Sequence, residues 1–133
     1  MPYLLDTNIC IYIIKQKPHS VLHKFNSIEP GEVALSMITI SELYYGARKS
    51  AVKEKNFLAL NKFILPFNIL DFDLAAANSY GIIRTELEVK GIPIGPLDTL
   101  IAAHAISLDY ILVTNNEREF TRVSGLQVEN WVD

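Results

Sequence analysis

The first eight residues, MPYLLDTN at positions 1–8, place one acid between two apolar runs. Pro2 to Leu5 are apolar apart from the tyrosine hydroxyl, and the apolar run ICIYII at 9–14 follows directly after Asn8. An Asp that ends a strand and begins a helix is a common N-cap, because its carboxylate accepts backbone N–H groups of the first turn. The stretch therefore predicts a strand that leads into a helix at Asp6, which is either a helix cap or part of a functional site.

Apolar β-rich segments alternate with segments of helical period along the rest of the chain. Strands are predicted at about 2–6, 33–36, 67–71 and 111–114, with a weaker pattern at 126–129. One helical stripe runs through Ala76, Tyr80, Ile83 and Leu87 before Gly91, and another runs from Leu97 to Leu108. This alternation is typical of an α/β fold. With right-handed crossovers, it predicts a three-layer α/β/α sandwich around a mostly parallel sheet of about five strands.

Length and composition favour one compact domain over residues 1–133. Half of the 133 residues are hydrophobic and 20% are charged, which excludes a disordered chain. The apolar runs are much shorter than the roughly 18 residues that span a bilayer, and no signal peptide is evident, so a cytoplasmic protein without a membrane partner is expected. The single cysteine, Cys10, excludes an internal disulfide and a multi-cysteine zinc site. A net charge of −3 argues against a generic basic nucleic-acid coat, although not against a nucleic-acid enzyme.

Four residues with oxygen side chains fall near predicted strand ends or helix starts, where ligands bind in open parallel sheets. They are Asp6, Glu42 in SELYYGA, Asp98 in LDTLIAAHA and Asn116 in TNNEREF. Each of the acids alone has a structural explanation. Thr39 and Glu42 match a capping box, Asp6 can cap the next helix, and an acid such as Asp98 in a first turn favours the helix dipole. Asp73 is predicted to cap the helix that follows it, with no functional role for it or for Asp71.

The acids considered together predict a cation site. Two carboxylates about 4 Å apart repel by about 4 kcal/mol at an effective dielectric near 20, so a cluster must protonate or bind a cation. Hard oxygen ligands without cysteine favour Mg²⁺ or Mn²⁺ over zinc. Mg²⁺ keeps several waters and leaves positions for a phosphate and a nucleophilic water, which is the equipment for phosphodiester hydrolysis.

The sequence resembles PIN-domain ribonucleases, and among them the VapC-type toxins of type II toxin–antitoxin pairs. The resemblance runs end to end, through the motifs LLDTN, ISELYYGA, GPLDTLIAAHA, LVTNNEREF and VENW. It implies a single PIN domain in which Asp6, Glu42 and Asp98 bind metal. Asn116 stands where many relatives have a fourth acid, so a second ion should be held more weakly. Glu119 could supply the missing charge, but the favoured interpretation is a surface glutamate.

The same resemblance implies that other motif residues support the site. Thr114 would order it, and Thr7 and Asn8 would hold Asp6 in place. His104 lies about 9 Å along its helix from Asp98 and is interpreted as a packing residue. His19 and His23 are interpreted as part of a surface helix.

The implied activity is that of a Mg²⁺-dependent endoribonuclease, with Mn²⁺ as a substitute, that hydrolyses structured RNA. The expected substrate is tRNA, with the anticodon region of initiator tRNA as the specific candidate, and the outcome is inhibition of translation. Arg48, Lys49, Lys53 and Lys55 are candidate phosphate contacts, or else a solvated helix face. Tyr44 and Tyr45 could stack on bases, although helical spacing makes at least one of them core.

The resemblance also implies binding partners. A cognate VapB-like antitoxin would place its tail in the active-site groove, and operator DNA would be reached only through that antitoxin. A homodimer is expected, with the apolar helix at 9–14 and the two tyrosines as partner surface.

Two other functions remain open at the level of the sequence. An aspartyl-phosphate phosphatase would use Asp6 as nucleophile, but it requires a second Asp at the position of Asn8. A non-catalytic PIN-like RNA-binding or regulatory module would have lost its metal, which Asn116 makes conceivable. The three retained acids argue against this second alternative.

Overall fold

The computed structural model describes residues 2–133, which are built around a five-stranded sheet with the strand order β3-β2-β1-β4-β5. The strands are β1 (Tyr3–Leu5), β2 (Val33–Ser36), β3 (Asn68–Leu70), β4 (Ile111–Val113) and β5 (Val128–Glu129). Every neighbouring pair is parallel, so the carboxyl ends of all five strands meet at one edge. The predicted α/β fold and its five strands are confirmed.

Helices occupy most of the chain between the strands. They are α1 (Thr7–Lys15), α2 (His19–Asn26), α3 (Met37–Lys49), α4 (Lys53–Ile64), α5 (Leu74–Val89), α6 (Pro96–Leu108) and α7 (Glu117–Phe120), with a short 3-10 helix at Pro30–Glu32. Within residues 2–133, none of these helices is both long and apolar enough to cross a membrane.

The sheet separates two hydrophobic cores, as the three-layer prediction requires. Alternate residues of a strand point to opposite faces, so Leu5 and Val113 pack with α1, α3 and α4, whereas Leu4 and Leu112 pack with α5 and α6. The first core includes Cys10, the buried and only cysteine. The arrangement leaves the loops that follow β1, β2 and β4 together at the carboxyl edge.

The predicted helical stripe on α5 is confirmed, and the stripe on α6 is confirmed only in part. Ala76, Ile83 and Leu87 are buried, and Gly91 follows the helix with a left-handed φ of 71°. On α6 every residue from 101 to 105 is buried, but Leu97 is 46% exposed. Leu97 lies in the first turn, ahead of the residues that pack on the sheet, so its assignment to the apolar stripe was wrong.

The capping box predicted at Thr39 and Glu42 is not formed. Helix α3 begins at Met37, and Ser36 is its N-cap through a hydrogen bond from the Ile38 N–H to the Ser36 Oγ. Thr39 is therefore inside the first turn, and its Oγ1 is buried without a hydrogen-bond partner among residues 2–133. Glu42 instead accepts a hydrogen bond from Thr7 of helix α1. In contrast, the predicted cap at Asp73 is confirmed by its bond from the Ala76 N–H.

Candidate active site

Asp6 follows β1 at the carboxyl edge of the sheet and uses its two oxygens differently. Oδ1 accepts the Ile9 N–H at 2.9 Å, which is the predicted cap of α1. Oδ2 accepts a hydrogen bond from the hydroxyl of Thr114, which follows β4, the strand paired with β1. The side chain is only 7% exposed, and this burial raises the pKa of Asp6 despite both hydrogen bonds. Asp6 is therefore a helix cap that also presents a desolvated carboxylate to the sheet edge.

Glu42 approaches Asp6 from helix α3. Its Oε1 accepts the hydroxyl hydrogen of Thr7 at 2.7 Å, and Thr7 is the first residue of α1. The two acids are close enough that the charge of Glu42 contributes to the raised pKa of Asp6, after burial. Thr7 was predicted to hold Asp6, but the structure shows it bonded to Glu42. Asn8 contributes through its backbone, which lowers the pKa of Asp6, and the predicted role of Asn8 stays a prediction.

Asp98 and Glu119 form the second half of the acidic site. Asp98 lies in the first turn of α6, and its side chain is hydrogen-bonded to that of Glu119. Burial, followed by the charge of Glu119 and its hydrogen bond, and then by the charges of Asp6 and Glu42, raises the pKa of Asp98 to about 7. The four acids therefore act on one another across the sheet edge.

Glu119 is half-buried and is held in place by two donors, which supports the alternative that it supplies the charge missing at Asn116. Its Oε1 accepts the Gly95 N–H at 2.7 Å, and its Oε2 accepts the Asn116 amide at 2.6 Å. The Gly95 N–H is the main cause that lowers the pKa of Glu119. Asn116, predicted at the position of the fourth acid, thus orients a carboxylate one helical turn further on. Sequence reasoning had this signal in the three-residue spacing of Asn116 and Glu119 on a helix.

The donor set fits a hard divalent cation. The chain places four carboxylates at the site and holds three of them by hydrogen bonds from Thr7, Thr114, Gly95 and Asn116. Among residues 2–133, no three acidic, histidine or cysteine side chains already lie close enough to form a ready metal cluster. The acids instead lie as two pairs, with Asp98 and Glu119 bonded to each other. Mutual repulsion and oxygen-only ligands are nevertheless the conditions under which Mg²⁺ or Mn²⁺ binds.

The predicted phosphate contacts are exposed cations around the junction of α3 and α4. Arg48 and Lys49 are at the end of α3, and Lys53 and Lys55 are at the start of α4, all of them exposed. The Arg48 guanidinium lies 4.7 Å from the Phe57 ring centroid, and the Lys49 ammonium lies 4.9 Å from that of Tyr45. Their contact with RNA stays a prediction.

The structure places His104 in the core, as predicted for a packing residue. His104 is 1% exposed, and its Nδ1 lies 2.8 Å from the Ser36 Oγ. Burial lowers the pKa of His104. His19 and His23 are exposed on α2, with ring centroids 6.1 Å apart.

A groove of about 310 Å³ lies beside Glu42, between α1, α3 and α4. Its apolar lining includes Ile11, Ile14, Leu43 and Leu60. Next to it on α3, Tyr44 packs into the first core, as predicted for one of the two tyrosines, and Tyr45 is 66% exposed.

Comparison with known proteins gives consistent results over nearly the whole chain. Residues 3–126 match the PIN domain family. The chain is 48% identical over 131 residues to a tRNA(fMet)-specific endonuclease VapC from Shigella flexneri, with 98% of each chain covered. It is 47% identical over 132 residues to ribonuclease VapC2 from Haemophilus influenzae, with 99% of each covered.

Solved structures agree with the sequence relatives. The crystal structure of VapBC2 from Rickettsia felis, bound to a promoter DNA fragment, matches with a TM-score of 0.92 and 42% identity, covering 99% of this chain and 100% of that one. DNA-bound VapBC from Salmonella typhimurium matches with a TM-score of 0.93 and 44% identity, covering 99% of each chain. The chain therefore belongs to the PIN-domain family and, within it, to the VapC ribonucleases.

Proposed function

We propose that this chain, with residues 1–133 as a single PIN domain, is a Mg²⁺- or Mn²⁺-dependent endoribonuclease and the toxin of a VapBC-type pair. The observation that carries the proposal is the approach of Asp6, Glu42, Asp98 and Glu119 at one sheet edge, where their charges act on one another. The substrate we propose is tRNA, and specifically initiator tRNA. Support for that choice comes from a relative at 48% identity that is named a tRNA(fMet)-specific endonuclease.

The four acids are proposed to hold the metal, and their neighbours are proposed to orient them. When bound, a divalent ion would make a water acidic and offset charge on the attacked phosphate. Thr114 and the Ile9 N–H fix the rotation of the Asp6 carboxylate, and Thr7 fixes that of Glu42. Asp98 and Glu119 lie next to each other near Gly95, so both carboxylates would be available to one bound ion. Attack by water needs neither a histidine base nor the ribose 2′-hydroxyl.

An antitoxin is the proposed protein partner. Three of the similar solved structures are VapBC assemblies, and two of these three are bound to DNA. We propose that the apolar groove beside Glu42 receives part of a VapB-like antitoxin, and that operator DNA is reached through that antitoxin. A homodimer through α1 and the exposed Tyr45 is proposed as well, since Ile11, Tyr12 and Ile14 of α1 are only partly buried.

The two alternatives have less support. A phosphatase of the aspartyl-phosphate class lacks its second acid, because Asn8 is an exposed amide in α1. A non-catalytic module was conceivable only because of Asn116, and Glu119 now supplies a fourth carboxylate next to Asp98.

The test is cleavage of tRNA by the purified full chain with Mg²⁺ or Mn²⁺, beside an EDTA control. Initiator tRNA is compared with elongator methionine tRNA, and Asp98→Ala and Glu119→Gln are compared with Asn116→Ala. We expect initiator tRNA fragments that vanish with EDTA and with both acid variants, and a smaller loss with Asn116→Ala. Intact tRNA at every metal concentration, or cleavage unaffected by EDTA, would contradict the proposal.

A further inference from the structure

Three cations lie around the segment that leads into α6, on the face of the sheet opposite to α3 and α4, and we call Arg84, Lys90 and Arg122 the basic rim. The Nη1 of Arg122 donates to the Pro93 carbonyl oxygen at 2.9 Å. Lys90 caps α5, and its Nζ lies 3.5 Å from the Ser124 Oγ, two residues beyond Arg122. Arg84 and Pro93 line the same small cleft of about 130 Å³. The rim therefore follows one continuous surface formed by the end of α5 and the segments around Pro93 and Ser124.

The basic rim is connected to the acids by short covalent and hydrogen-bonded paths. Gly95, two residues after Pro93, donates its N–H to the Glu119 carboxylate. The backbone N–H of Arg122 donates to the Glu119 carbonyl oxygen at 3.2 Å, so the two residues share one turn. Arg122 is thus the residue of the rim with a direct backbone link to the second acid pair.

A site of four carboxylates repels an RNA backbone, so cations next to it are needed to bring phosphates close. A guanidinium has five N–H donors, and Arg122 uses one of them on Pro93. Arg84 is exposed and bonds to the Tyr80 hydroxyl and, at 3.5 Å, to Glu88. An exposed ion pair of this kind is weak, so the contact with Glu88 does not prevent Arg84 from binding a phosphate.

We propose that the basic rim binds backbone phosphates of the RNA strand next to the bond that is cut, with Arg122 as the contact nearest to the acids. The inference rests on the proposed nuclease function and assigns the path of the substrate. It also differs from the sequence-based prediction, because Arg48 already lies over the Phe57 ring of α4 and Lys49 over the Tyr45 ring of α3.

The test measures binding without cleavage. Anisotropy of labelled tRNA is titrated with the full chain in EDTA, at several salt concentrations, for Arg84→Gln, Lys90→Gln, Arg122→Gln and the triple variant. Removing one cation that binds a phosphate should lower the slope of log affinity against log salt by about 0.7 to 0.9, and the triple variant should lower it by about 2.1 to 2.7. Arg122→Lys should retain the slope, because it keeps the charge although it lacks the planar fork. Lys62→Gln is the matched control, since Lys62 is exposed on α4, which packs against α1 and α3.

The outcomes separate this inference from the nuclease proposal. A triple variant with the wild-type slope would overturn the basic rim as an RNA surface, even if wild type cuts tRNA, and would leave the surface for a protein partner. A lowered slope in the rim variants together with an unchanged slope in Lys62→Gln supports the rim. That support would stand even if wild type cut no tRNA, a result that contradicts only the nuclease.

Discussion

Ser36 is the position where one hydroxyl supports two elements, so Ser36→Ala gives a stability prediction with a magnitude. Its Oγ accepts the Ile38 N–H at 3.1 Å and caps α3, the helix that carries Glu42. The same oxygen lies 2.8 Å from Nδ1 of the buried His104 on α6, the helix that carries Asp98. Since Oγ accepts from Ile38, its own hydrogen is available to donate to the imidazole.

The cost of Ser36→Ala has two parts. Loss of a Ser N-cap destabilises by about 1 kcal/mol. Leaving the buried Nδ1 of His104 without its donor adds about 1 to 3 kcal/mol. The expected loss is therefore about 2 to 4 kcal/mol, a large share of the roughly 5 to 15 kcal/mol typical of a folded domain.

Urea unfolding of the full chain measures this loss as a lower midpoint, by roughly 1 to 2 M. Ser41→Ala is the matched control, because Ser41 is exposed on the same helix and bonds only to the Met37 carbonyl oxygen. It should change stability by less than about 0.5 kcal/mol. The double variant Ser36→Ala with His104→Leu should cost less than the sum of the single variants. Strict additivity, or equal effects at Ser36 and Ser41, would refute the two-part role.

Three further outcomes follow from named atoms. Gly95→Ala would place a methyl 3.6 Å from an Asp98 oxygen and 3.7 Å from a Glu119 oxygen, which are ordinary contacts, so we expect a folded protein. Because the methyl takes up space beside two proposed metal ligands, tRNA cleavage should fall about tenfold. Unchanged cleavage would contradict the proposed site. Gly81→Ala has open space on α5 and should raise the free energy of unfolding by about 0.5 to 1 kcal/mol with cleavage unchanged, as urea unfolding will show. Burial lowers the pKa of His104 below its ordinary 6.5, so below that pH the unfolded chain binds more protons and this contribution to stability is lost. Because Asp98, with its raised pKa, acts in the opposite sense, the quantity to measure is the stability of wild type minus that of His104→Gln, which should shrink from pH 7 to pH 5.5; a constant difference contradicts it.

The strands were predictable because they are short apolar runs, and such runs are buried on both faces of the sheet. The segment at 33–36 was predicted with its observed bounds, and all four of its residues are buried. The capping box failed for a local reason, since Ser36 begins α3 before Thr39 and satisfies the first turn instead. Leu97 failed because helical period does not reveal where along α6 the sheet begins to cover the helix.

The candidate site was predictable where an acid follows a strand, and less so where it depends on contacts between distant residues. Asp6 and Asp98 stand at element boundaries that the apolar pattern marks. Glu119 lies in a four-residue helix, too short for a periodic pattern, and its main donor is Gly95, which is 24 residues earlier in the chain. The bond from the Gly95 N–H to Glu119 therefore became evident only from the folded arrangement.

The bond from Thr114 to Asp6 joins residues 108 positions apart and has a consequence for the order of synthesis. Strand β4, which places Thr114, and helix α7, which places Glu119, leave the ribosome after all other parts of the acidic site. A nascent chain that has exposed Asp6, Glu42 and Asp98 still lacks the hydroxyl that orients the first acid and the carboxylate that faces the third. A ribonuclease assembled in this order would remain inactive until α7 had left the ribosome.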